Sequence, residues 1–217
     1  MIRTNSYSYA AILERYRIAL DKAESNPAIA QAMKKIGYGP EKIKEGQELL
    51  EVTRKIFDLN LQKKDALTSA RDEFRRQKAA LDTTFREHRR RALLIFRNEA
   101  REKELLGVSG PYPRQFFAWM QTMEIFYKEI LTKPELQERF QHLNFSKQEA
   151  EEGLKAVSDL HRLVAERMRA KGESQDSTEK KDEAFGKLNE WMSDFYGAAR
   201  LILRKDPQLL EILYKSA

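Results

Sequence analysis

Apolar residues along this chain recur at spacings of three and four, and no stretch alternates with the period of two that marks a half-buried strand. The pattern predicts amphipathic helices over about 8–24 and 115–131, both dense in aromatic and aliphatic residues. After each, Asn26-Pro27 and Lys133-Pro134 restart the chain into a short helix that ends near Gly37 or Asn144. A longer helical segment follows. Its seam is Ile43, Gly46, Leu50, Thr53 and Phe57 in one place and Ala150, Gly153, Val157, Leu160 and Val164 in the other.

These paired descriptions reflect an internal offset. One ungapped shift of the chain against itself places Pro27 on Pro134, Glu45-Gly46 on Glu152-Gly153, Leu94-Ile95 on Leu201-Ile202, and Arg97 on Arg204. Few of the aligned positions are identical, but apolar positions and helix punctuation coincide as well. Gly39-Pro40 can open a helix with a proline in its first turn, whereas the corresponding Ser146-Lys147-Gln148-Glu149 reads as a capping box. The expected fold is therefore all-α. It comprises two tandem, structurally similar helical-bundle repeats, 1–107 and 108–217, packed into one up-down helical bundle-like protein.

Within each repeat, the run from Lys171 to Lys181 decides the expected path. It is polar, contains Gly and Ser, and reads as an exposed loop, whereas its counterpart, Lys64 to Phe74, lacks Gly and Pro. Typical helix lengths favour a turn in both copies, which gives a helical hairpin in place of one helix from about 40 to 103. The next helix is expected from about 72 to 105 and again from 181 to 205. Its apolar stretch Ala92-Leu93-Leu94-Ile95-Phe96 is expected to be buried on all sides where the copies meet. Asp206-Pro207 opens a final short helix through Leu213, and Gly110-Pro111-Tyr112-Pro113 forms a rigid joint between copies.

Charge changes this picture by making the copies unequal. Residues 1–107 carry 23 Lys and Arg against 16 Asp and Glu, a net of +7, while the rest carry 17 against 18, a net of −1. Most of the excess lies on the helix from Arg71 to Lys103. There Arg75, Arg86, Arg90, Arg97 and Arg101 fall on one stripe opposite Leu81, Phe85, His88 and Ala92, with Arg89 and Arg91 flanking it. Arg75, Arg86, Arg89, Arg90, Arg97 and Arg101 are the candidates for binding a nucleic acid backbone or an acidic partner. Asp72, Asp82, Glu87 and Glu104 are close enough in sequence to compensate parts of the stripe.

Other chemistry finds little footing. The chain has no Cys, which excludes disulfides and thiolate metal sites. None of His88, His142 and His161 is preceded at −3 by Glu, as a di-iron bundle requires, and no metal or cofactor is expected. His88 falls at a core-facing position, which suits a semi-buried structural histidine. Phosphate-loop, dinucleotide and nucleophile-elbow motifs are absent, so no catalytic residue is assigned. Gly46 and Gly153, matched in mid-helix, point to close helix packing, and with Leu93, Leu94, Leu201 and Ile202 they are the expected packing surface between repeats. Phe185, Trp191, Phe195 and Tyr196 follow core spacing, although Trp119 and Trp191 could equally anchor a partner.

No run has the length of a membrane helix, and Met1 to Ala11 lacks the apolar centre of a leader, so a cytoplasmic location is expected. The functional expectation is a non-enzymatic helical interaction or scaffold protein that self-associates, for instance as a homodimer, or docks a protein partner. Nucleic acid binding through the arginine stripe is the alternative. A ligand carrier or enzyme with a pocket between the repeats is the second alternative.

Overall fold

The computed structural model describes residues 8–214; the first seven residues, part of the segment read for a leader, and the last three lie outside the described part. Every regular element within it is an α-helix: α1 (Tyr9–Ser25), α2 (Pro27–Lys34), α3 (Pro40–Ile95), α4 (Ala100–Leu105), α5 (Phe116–Thr132), α6 (Pro134–Gln141), α7 (Lys147–Ile202) and α8 (Pro207–Tyr214). The starts of α1 to α4 coincide under the sequence offset with those of α5 to α8: Tyr9 with Phe116, Pro27 with Pro134, Pro40 with Lys147 and Ala100 with Pro207. No helix among the described residues is long and apolar enough to cross a membrane.

Punctuation follows from local chemistry. Asn26 Oδ1 accepts from the amides of Ala28 and Ile29 at the head of α2. The capping box forms at the head of α7, where Ser146 Oγ accepts from the Glu149 amide at 3.1 Å and Glu149 Oε2 accepts from the Ser146 amide at 2.7 Å. Before each long helix the chain reverses through a left-handed residue, Gly37 (φ 89°) and Asn144 (φ 52°). The Tyr38 amide then reaches back to Met33 O and the Phe145 amide to Phe140 O, which closes the preceding helix.

The expected hairpins do not form. Both α3 and α7 are unbroken helices of 56 residues. The polar run 171–181 remains helical because its small hydroxyl residues are satisfied in place. Ser177 Oγ and Thr178 Oγ1 donate to Ser174 O, and Asn60 Nδ2 on α3 donates to Ser177 Oγ at 3.0 Å and Thr178 Oγ1 at 3.1 Å. Ser174, Ser177 and Asn60 are all buried. A composition typical of an exposed loop thus packs as a polar layer within a helical seam.

The compact units cut across the two sequence halves. One comprises residues 1–64 and 173–217, the other 65–172. The physical reason is the unbroken long helix: each carries its own half of the sequence out of one unit and into the other. The first unit holds its core among Leu13, Leu20, Ile29, Met33, Ile43, Leu50, Leu188, Met192, Phe195 and Leu203. The second holds a separate core rich in rings, including Phe85, Phe96, Phe126, Tyr127, Phe140 and Phe145.

The stretch 92–96 is not buried all round. Ala92 and Phe96 are fully buried, but Leu94 is 59 % exposed, as is its counterpart Leu201 at 73 %. Near the ends of α3 and α7, Ala92 with Phe96 and Ala199 with Leu203 already cover the core, and the helical turn carries Leu94 and Leu201 outward. Leu93 and Ile202 are half-buried against the cores of their own units. Gly46 and Gly153 also pack inside their units. A Cβ on Gly46 would overlap the Trp191 ring, and one on Gly153 would overlap the Tyr127 ring.

Candidate functional site

The exposed face of α3 in the second unit repeats at three and four residues, bringing Arg75, Lys78, Ala79, Asp82 and Arg86 into one line. Opposite stands the segment Tyr112-Pro113-Arg114, continuing to Phe116 and Trp119 at the head of α5. Between them lies an open cleft of about 450 Å³ with four cationic side chains and one carboxylate on its walls. Arg89 fastens the far wall: its guanidinium donates to the carbonyls of Val108, at 3.1 Å, and Gly110.

Asp82 organises the cleft. Its Oδ1 accepts from the Tyr112 hydroxyl at 2.6 Å and from Trp119 Nε1 at 3.0 Å, and its Oδ2 accepts from Arg86 Nε at 2.7 Å. Burial opposes ionisation, but the hydrogen bonds from Arg86 and Tyr112 outweigh it and hold the carboxyl below its ordinary range. The same setting pushes Tyr112 up to about 12, through burial and the hydrogen bond it donates to Asp82. The Arg86 guanidinium carbon lies 4.0 Å from the centre of the Tyr112 ring, and the Lys78 amine faces the Phe116 and Trp119 rings at 5.7 and 5.9 Å.

The predicted arginines separate into three groups. Arg75 and Arg86 line the cleft. Arg89 is half-buried and donates from Nη2 to the linker carbonyls, so it supports the wall. Arg90, Arg97 and Arg101 are exposed without an ion pair among the described residues. The last two do not continue the stripe, because α3 stops at Ile95 and Arg101 belongs to α4. Glu99, bound to Arg139, adopts extended backbone in the break. Arg91 pairs with Glu87 and reaches Asn144 O.

The sequence offers no binding role for Lys78, Asp82, Arg114, Tyr112 or Phe116, and offers Trp119 as an anchor for a partner interface. Trp119 is instead 3 % exposed, with its indole N–H turned to Asp82. A usable signal was present: an Asp one turn before Arg86 on a basic helix, followed by a proline-flanked Tyr and Arg.

His88, the other titratable group of interest, is 5 % exposed; its Nδ1 shares a 3.0 Å hydrogen bond with the Tyr127 hydroxyl. Burial is the main cause of its lowered pKa. His142 and His161 are exposed, and no group of three His, Asp or Glu side chains among the described residues is placed to hold a metal ion. Comparison with protein-family models, curated proteins and solved structures returns no match.

Proposed function

We propose that this is a non-enzymatic helical interaction protein that docks an acidic segment of a protein partner in the cleft between α3 and the start of α5. The observation that carries this reading is the convergence of Arg75, Lys78, Arg86 and Arg114 on one open cleft whose single carboxylate, Asp82, is already saturated by three donors. Four cations against one carboxylate on the walls give such a cleft a net positive field that favours an anionic partner and raises its association rate. We further propose that the chain is built from two tandem helical repeats, 1–107 and 108–217, and acts in the cytoplasm. The common spacing of helix starts and the matched mid-helix positions of Gly46 and Gly153 support the repeat.

An acidic peptide is favoured over a nucleic acid for two reasons. The ring faces in the cleft are already covered by Arg86 and Lys78, which leaves less surface for stacked bases. In addition, Asp72, Asp82 and Glu87 interrupt the positive face along which a phosphate backbone would run.

Fluorescence anisotropy of a labelled glutamate-rich peptide, at low and at physiological salt, tests the proposal. Saturable binding that weakens with salt and is lost in Arg75→Glu/Lys78→Glu/Arg114→Glu is the expected result. Absence of binding at low salt would overturn it. So would an oligouridine that binds more tightly than the peptide and is lost in the same variant, which would transfer the cleft to nucleic acid.

A further inference from the structure

We infer that Arg86 is the residue of this cleft that reads an oxyanion through its guanidinium fork, with Asp82, Tyr112 and Trp119 as its positioning residues. The inference rests on the docking reading above and assigns it a specificity-determining contact. Among the cations of the cleft, Arg86 is the one constrained from two directions. Its Nε is tied to Asp82 Oδ2 at 2.7 Å, and its plane lies over Tyr112 at 4.0 Å. Neither of its terminal nitrogens donates a hydrogen bond within the described residues, so the fork is left for a ligand. Arg75, by contrast, is 77 % exposed and has only a 3.6 Å approach to Asp72, Lys78 is a point charge on a flexible stem, and Arg114 is exposed.

The positioning chain reaches into the core. Trp119 is buried, and its indole N–H lies 3.0 Å from Asp82 Oδ1 and 2.8 Å from the Tyr112 oxygen. Asp82 is thus fixed by groups that cannot follow a loose surface side chain, and it in turn fixes Arg86. A guanidinium whose Nε and face are already engaged loses little conformational freedom when its two terminal N–H groups grip an oxyanion. The matching ligand group is a carboxylate or phosphate oxyanion able to accept two parallel hydrogen bonds. In an acidic segment it comes from a Glu or Asp side chain or from a phosphorylated Ser.

Calorimetric titration with the glutamate-rich peptide, and with the same peptide carrying one phosphoserine, separates the possibilities. Arg86→Lys keeps the charge and removes the fork, so it is expected to weaken binding on the order of tenfold, whereas Arg75→Lys is expected to change Kd by less than about threefold. Asp82→Asn is expected to weaken binding in the wild-type background and to add little in the Arg86→Lys background. A merely structural role would not produce that non-additivity. Loss in both peptide arms assigns the fork to oxyanions in general, and loss in one arm assigns it to that oxyanion. Equal effects of Arg86→Lys and Arg75→Lys, with wild-type binding intact, would overturn the inference and leave the docking reading standing. No binding by the wild type would remove the docking reading itself.

Discussion

Positions equivalent under the sequence offset solve the same packing problem in opposite ways in the two compact units. At the site of Lys78 the first unit has Phe185, buried against Tyr9 at 4.6 Å and facing Phe57 at 6.1 Å. At the site of Asp82 it has Asn189, whose Oδ1 accepts from Tyr16. Arg75 and Arg86 correspond to Asp182 and Ser193. Ring packing around Phe185 in the first unit thus takes the place that the Lys78 amine holds beside the cleft of the second. The difference teaches that part of the chain's basicity gathers beside a missing ring, while Arg90, Arg97 and Arg101 lie exposed elsewhere.

The glycine niches provide the most severe way to break the comparison. The niche over Gly46 is filled by Trp191 from α7, and the niche over Gly153 by Tyr127 from α5. Gly46→Ala and Gly153→Ala should each destabilise by about 1–3 kcal/mol or more, because the added Cβ meets a ring held inside a packed unit. Trp191→Leu should restore part of the first loss, and Tyr127→Leu, which installs the residue of the corresponding Leu20, part of the second. Urea unfolding checks both pairs, and an undiminished midpoint in either alanine variant would contradict the close packing.

The ring wall of the second unit is the next target. His88 stands where the first unit has Phe195, and each meets the aromatic residue before a long helix, Phe145 at 4.6 Å and Tyr38 at 5.8 Å. His88→Phe should leave the buried Tyr127 hydroxyl without a partner and cost about 1–3 kcal/mol, while His88→Phe/Tyr127→Phe should recover much of it. Equal losses in the single and double variants would show that the hydrogen bond contributes nothing.

A smaller effect distinguishes the same positions by pH. Burial favours neutral His88, so its folded-state pKa lies below the ordinary 6.5. The unfolded chain therefore takes up the proton first. The contribution of His88 is complete above pH 6.5 and is lost as pH falls through that value toward the folded pKa. Denaturation midpoints measured across this window should decline in the wild type and decline less in His88→Phe.

The smallest expected change concerns the cleft wall. Arg89→Lys removes the two-carbonyl grip on the segment after α4, and should cost about 1 kcal/mol or less in stability while weakening peptide binding severalfold. Stability loss without any change in Kd would separate the wall from the site.

These elements also show which parts of the molecule could be read from the residues. Helical periodicity, the Pro27 and Pro134 starts and the Ser146 capping box were legible because they depend on local spacing. The continuity of α7 was not, since Ser174, Ser177 and Thr178 resemble a loop until Asn60, far away along the chain, supplies their partner. The candidate site was half legible for the same reason. Arg75 and Arg86 belong to a periodic stripe, but the far wall of Tyr112, Arg114 and Trp119 is brought opposite them by tertiary packing. A helical wheel likewise cannot show that linker carbonyls lie beside Arg89.

The two tryptophans lie in different units, Trp119 beneath the cleft and Trp191 over Gly46. Fluorine NMR of protein labelled with 5-fluorotryptophan, with Trp191→Phe used for assignment, follows both in one titration with the glutamate-rich peptide. A saturable shift of the Trp119 resonance with the Trp191 resonance unmoved is the predicted result. An unmoved Trp119 at saturating peptide, or a shift confined to Trp191, would contradict it.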